Sequence, residues 1–137
     1  MAYNIIATIV YFCTINQSGA ANMPKKLKIL FVCTINRMRS ATAHSIYSKD
    51  ERFLVLSAGT DSSANIVLNE EHINWADAVI VMEKHHRDFI QANFKNFHKI
   101  KKIVCLYIAD DYEYLQPELV DILQHKFENV YRRGLLG

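Results

Sequence analysis

From residue 28 onward, short apolar runs alternate with segments whose apolar residues recur at helical spacing. Lys28-Ile29-Leu30-Phe31-Val32 is apolar after its first residue, the pattern of a strand buried on both faces. Arg37 to Ser48 holds Met38, Ala41, Ala43, Ile46 and Tyr47 without Gly or Pro, which predicts a helix. Phe53-Leu54-Val55-Leu56 reads as a second strand, ended by Ser57-Ala58-Gly59-Thr60, and Leu68 to Trp75 as a short helix. Ala78-Val79-Ile80-Val81-Met82 is a third strand, Lys84 to Phe94 a third helix, and Lys102 to Tyr107 a fourth strand. Pro117 suits the first turn of a last helix with Leu119, Val120, Ile122, Leu123 and Phe127 among its apolar positions. This alternation predicts an α/β three-layer sandwich: a central four-stranded parallel sheet, helices on both faces, and a ligand at the carboxyl ends of the strands.

Residues 1–22 follow a different rule. They carry no charged side chain, and Ile5 to Ile15 is almost continuously apolar, too short a run for a membrane span. A signal peptide wants a basic start, which this segment lacks. Phe12-Cys13-Thr14-Ile15-Asn16 nearly copies Phe31-Val32-Cys33-Thr34-Ile35-Asn36, but Gly19 stands where the downstream copy has Arg39. Met23-Pro24-Lys25-Lys26 reads as a natural soluble start, so 1–22 is expected to be an extension and 23–137 the working domain.

Composition narrows the class. The 137 residues are 50% apolar and 22% charged, which excludes a disordered chain. Three cysteines make no disulfide framework and suit a reducing, cytoplasmic setting. A net charge of +2 gives no reason to expect nucleic-acid binding, and no membrane partner is expected. The positive charge sits in the first part of the chain, where Lys25, Lys26, Lys28, Arg37, Arg39 and Lys49 precede the first acid. An anionic ligand near that part is electrostatically reasonable.

The segment Val32-Cys33-Thr34-Ile35-Asn36-Arg37-Met38-Arg39-Ser40 lies where the first strand turns into the first helix. Such a turn gathers backbone N–H groups into one hollow, beside the positive end of the helix dipole. A cysteine opening that turn has its thiolate stabilised by the same amides. Arg39 offers a planar fork that matches two oxygens of a tetrahedral oxyanion, and Ser40 offers a hydroxyl to the sulfur. These parts bind a phosphate and set a sulfur nucleophile beneath its phosphorus.

In those residues the chain resembles the low-molecular-weight protein tyrosine phosphatases, over roughly Lys28 to Phe127. The likeness rests on Val32-Cys33, Asn36 and Arg39-Ser40, on Ser57-Ala58-Gly59-Thr60, on Ala76-Asp77-Ala78-Val79-Ile80-Val81-Met82, and on Asp110-Asp111-Tyr112. The resemblance implies a cysteine-dependent phosphomonoester hydrolase, acting through a phosphocysteine intermediate on a phosphorylated protein or a small phosphomonoester and releasing inorganic phosphate. It implies Cys33 as nucleophile, and Arg39 with the Thr34, Ile35, Asn36, Arg37, Met38 and Ser40 segment as phosphate binder. Asp110 is then the general acid, with Asp111 as the competing position, and Tyr112, joined by Tyr114, is the aromatic wall. Asn36 is expected to hold a left-handed turn.

The chain departs from that pattern at Ile35, where the family usually has Gly, and at Met38, which replaces a second loop cysteine. Ala41 replaces a proline, Asp-Asp-Tyr replaces Asp-Pro-Tyr, and the stretch after Thr60 is short. Two other readings stay open: a phosphate- or phosphoprotein-binding module without turnover, and an arsenate-reductase-like enzyme, for which Cys105 is poorly set as a second thiol. No cofactor or metal is expected. His72 and the His85-His86 pair lack ligand spacing and read as solvated surface.

Overall fold

The computed structural model describes residues 25–95 and 102–137, so the expected extension 1–22 lies outside the described residues. Strands β1 (Leu27–Cys33), β2 (Phe53–Gly59), β3 (Ala78–Val81) and β4 (Lys102–Cys105) form one parallel sheet in the order β2-β1-β3-β4. Helices α1 (Arg39–Tyr47), α2 (Glu70–Trp75), α3 (Lys84–Asn93) and α4 (Pro117–Arg132) follow the four strands in turn.

Alternation along the strands sends successive side chains to opposite faces. Ile29, Phe31, Cys33, Ile80 and Met82 pack with Ala43 and Tyr47 of α1 and with Leu119, Leu123 and Phe127 of α4. Leu30, Val32, Val79 and Val81 pack on the other side with Ile73 of α2 and Ile90 of α3. The expected three layers are present, and both faces of β1 and β3 are buried.

Several boundaries shift by one or two residues from expectation, and three of the shifts have a clear local reason. β2 runs on through Ser57-Ala58-Gly59, because pairing with β1 continues to Cys33↔Gly59. β4 stops at Cys105, two residues short, since Tyr107 adopts φ 56°. α1 begins at Arg39 rather than Arg37, because Asn36 is left-handed with φ 57° and breaks helical geometry just before it.

The strand order creates a switch point. β1 lies between β2 and β3, and the helices after β1 and β3 leave to opposite faces. Such a divergence opens a crevice at the carboxyl ends of the two strands. The turns leading into α1 and α3 therefore meet there, and Met82 N still donates to Val32 O at 3.1 Å.

Phe127 anchors the aromatic half of the core, with ring centroids 4.6 Å from Tyr47 and 5.4 Å from both Phe31 and Phe53. Phe127→Ala leaves a cavity among three rings and is expected to lower stability by about 3–5 kcal/mol, read from the urea midpoint. A loss below about 1 kcal/mol would mean that α4 does not pack here.

Candidate active site

The loop between β1 and α1 takes its shape from the residues after β2. Thr60 N donates to Cys33 O at 3.0 Å, Asp61 N to Thr34 O at 2.9 Å, and Asn65 N to Ile35 O at 3.0 Å. Asn65 Nδ2 donates to Asn36 O at 3.1 Å. Four successive carbonyls thus point to one flank. In a trans peptide the next residue's N–H points opposite to the carbonyl, and no peptide among the described residues is cis. The amides of Thr34, Ile35, Asn36 and Arg37 therefore turn away from residues 60–65. None of the amides from Thr34 to Met38 donates a hydrogen bond to a described residue. Among the described residues, one side of the loop is thus a row of unpartnered donors, the arrangement that binds an anion.

Gly59 is where this clasp comes closest. A Cβ there would lie 2.4 Å from Thr34 O and 3.0 Å from Asn36 N, so only glycine fits without moving the loop. Asn36 supplies the left-handed residue expected of it, and Ile35 is not among the positive-φ residues. The β-branched Ile35 is therefore unstrained.

Cys33 ends β1, is 2% exposed, and has its Sγ 3.0 Å from Ser40 Oγ. Asn36 Nδ2 donates to the same Oγ at 2.7 Å. That bond fills an acceptor site on Ser40, whose hydroxyl lies within reach of both the sulfur and Ala58 O, the latter at 3.5 Å.

Arg39 begins α1 and is 1% exposed. Its Nη1 donates to Glu83 Oε1 at 2.5 Å and to Ile108 O at 2.9 Å. Its Nε lies 3.5 Å from Asp110 Oδ1 and has no hydrogen-bond partner among the described residues. The guanidinium is held along one edge while a buried donor stays unsatisfied, a costly state that an oxyanion relieves. Burial pushes the Glu83 carboxyl up, but the Arg39 hydrogen bond and charge, with His85 and His86 nearby, outweigh this and leave it lowered.

Asp110 is the acid beside Arg39, with its side chain 61% exposed, and Asp111 is also exposed. Tyr112 is half-buried and packs on the core cluster that includes Cys33 and Ile108. Tyr114 instead lines a groove of about 410 Å³ with Arg37, Met38, Ala41, Asn65 and Glu113. Its hydroxyl is held 2.7 Å from Ser45 Oγ. Exposed Arg37 donates from Nε to Asn65 Oδ1 at 3.3 Å.

The reading of the histidine pair as solvated surface needs correction. His86 is wholly buried, with Nε2 2.9 Å from Thr34 Oγ1 and Nδ1 accepting from Glu83 N at 3.0 Å. Burial first, then the charges of His85 and Arg39, pushes its pKa down to about 3, so the ring is neutral. Adjacent helical residues face different ways, and the missed point is that one of the two then faces inward. Glu83 was missed as well. Both stand in Met82-Glu83-Lys84-His85-His86, where an acid just past a strand and a polar residue three later mark a helix start. Glu83, His85 and His86 bring ligand-type atoms within 4.8 Å of one another. An ion there would displace existing bonds, since Arg39 engages Glu83, Thr34 engages His86 Nε2, and Glu83 N–H engages His86 Nδ1.

No protein-family model matches the sequence, and no curated protein matches it at a significant level. Solved structures do share its fold. One is the YwlE arginine phosphatase from Geobacillus stearothermophilus, 24% identical over 80% of this chain and 96% of that one, with a TM-score of 0.61. A protein tyrosine phosphatase from Entamoeba histolytica is 18% identical over 82% and 97% of the two chains, with a TM-score of 0.63. A low molecular weight protein tyrosine phosphatase from Bacillus subtilis is 21% identical over 77% and 98%, with a TM-score of 0.57. The chain has the low-molecular-weight phosphatase fold.

Gly59→Ala forces its new methyl against Thr34 O and is expected to cost about 1–3 kcal/mol of stability. It should also weaken the protection that inorganic phosphate gives Cys33 against iodoacetamide, roughly ten- to a hundred-fold. A variant unchanged in both would show that the loop is not clamped from this side.

Proposed function

We propose that the chain is a cysteine-dependent phosphomonoester hydrolase, with phosphorylated protein side chains, phosphotyrosine foremost, as its substrate class. One observation carries this reading. A buried cysteine, hydrogen-bonded to a serine, ends the strand from which a row of unpaired amides and a buried arginine follow. The similarity in fold to tyrosine and arginine phosphatases supports it.

In this reading, the Cys33 thiolate attacks phosphorus while the amides of Thr34, Ile35, Asn36, Arg37 and Met38 and the Arg39 guanidinium hold the equatorial oxygens. The bond from phosphorus to the leaving oxygen breaks, and Asp110 gives that oxygen its proton. Ser40 steadies the sulfur. Water then attacks the phosphocysteine, Asp110 takes its proton, and the S–P bond breaks to release inorganic phosphate. Asp110 is favoured over Asp111 because it lies within 3.5 Å of the Arg39 guanidinium. An aryl leaving group would lie along Tyr114, with Tyr112 behind it against the core. No described helix is long and apolar enough to cross a membrane, and a working thiol suits the reducing cytoplasm.

Hydrolysis of an aryl phosphate by the full chain tests the reading, with vanadate as a competitive inhibitor. Cys33→Ser should abolish turnover, and activity surviving that change would remove the mechanism. Asp110→Asn is expected to cost roughly 10²–10⁴-fold on poor leaving groups, and Asp111→Asn far less. The reverse order would make Asp111 the acid.

A further inference from the structure

The turn that opens α3 grips the phosphate loop at both ends. Glu83 Oε1 accepts from Arg39 Nη1, and three residues on, His86 Nε2 meets Thr34 Oγ1 at 2.9 Å. The other ring nitrogen fixes the tautomer. Glu83 N–H donates to His86 Nδ1, so Nδ1 carries no proton and Nε2–H is the donor to Thr34. A simple helix cap needs only the bond from Glu83 N–H to His86 Nδ1. His72 makes that cap at α2, where Asn69 N donates to its Nδ1 at 3.1 Å, and His72 stays partly exposed. His86 adds the second bond and is wholly buried.

Thr34 is a sensitive place to hold. It follows Cys33 directly, its carbonyl is held by Asp61 N, and its β-branched side chain has few rotamers. Pinning both Oγ1 and the carbonyl leaves the Thr34–Ile35 peptide one orientation, and with it the Ile35 amide. We propose that His86 is a positioning residue of the phosphate loop, whose neutral Nε2–H sets Thr34 and thereby the pitch of the amides beneath a bound oxyanion. The proposal rests on the phosphate-loop reading above, though not on turnover.

The test therefore joins activity to measurements that need none. Long-range ¹H–¹⁵N spectra of the full chain should show His86 as the Nε2–H tautomer, with that signal displaced in Thr34→Val. Protection of Cys33 from iodoacetamide by inorganic phosphate should weaken roughly ten- to a hundred-fold in Thr34→Val and in His86→Phe. Thr34→Ser keeps the acceptor oxygen and should recover most of that loss. In the double variant the two losses should not multiply, because each removes the same bond. If His86→Phe fails to fold, His86→Gln, which offers an amide donor at similar reach, should retain more protection than Thr34→Val. An Nδ1–H tautomer, a Thr34→Val variant within about two-fold of the unsubstituted chain, or losses that multiply would each overturn the proposal. A chain that binds phosphate without hydrolysing aryl phosphates would refute the catalytic reading alone, since the protection assay still decides the role of His86.

Discussion

The structure turns on how four peptide groups are oriented. A loop that leaves a strand end has many ways to satisfy its carbonyls, and most of them scatter the amides. Here the carbonyls of Cys33, Thr34, Ile35 and Asn36 are all taken up by residues 60–65, which commits the amides to the other side. Gly59 shows how little slack remains, because the clasp closes across the space a methyl would occupy. The stability of the sheet holds this arrangement in place, and the core on both faces of β1 supplies that stability.

Burying Arg39 follows from the same demand. A guanidinium nearly without solvent contact must be paired, and Glu83 and the Ile108 carbonyl do this along one edge. Each partner comes from the end of a different strand connection, one after β3 and one after β4. The switch-point topology is what brings them within reach, since the turn into α3 opens beside the turn into α1. The exposed Asp110 completes the surroundings at the remaining Nε edge.

Much of this was legible in the sequence, and the reasons are specific. Buried parallel strands write continuous apolar runs, so all four strands and the three-layer plan could be read directly. The loop was legible because Cys33, Asn36, Arg39 and Ser40 are chemically unusual at a strand-to-helix turn. Glu83 and His86 were not, because their work is defined by partners 44 and 52 residues away in the chain. A histidine pair on a helix looks solvated until the depth of that helix in the crevice is known. Asn65 was hidden for the same reason, being one polar residue in a polar turn. Ile35 stands where the resemblance expects Gly, yet the left-handed position falls on Asn36, as expected, and Ile35 keeps a negative φ.

The floor of the site and its mouth are built by separate parts of the chain. Strand ends and the two helix-opening turns hold the sulfur, the amides and the guanidinium, with Cys33, Asn36, Arg39 and Ser40 buried. The mouth instead takes Arg37, Met38, Ala41, Asn65, Glu113 and Tyr114 from the outer rim of the loop, one face of α1 and the acidic segment before α4. Replacing a loop cysteine by Met38 or a proline by Ala41 alters only that second group, since neither side chain bonds Cys33, Arg39 or Ser40. Those two replacements therefore change the mouth of the site. They leave intact the bonds that set the sulfur and the guanidinium.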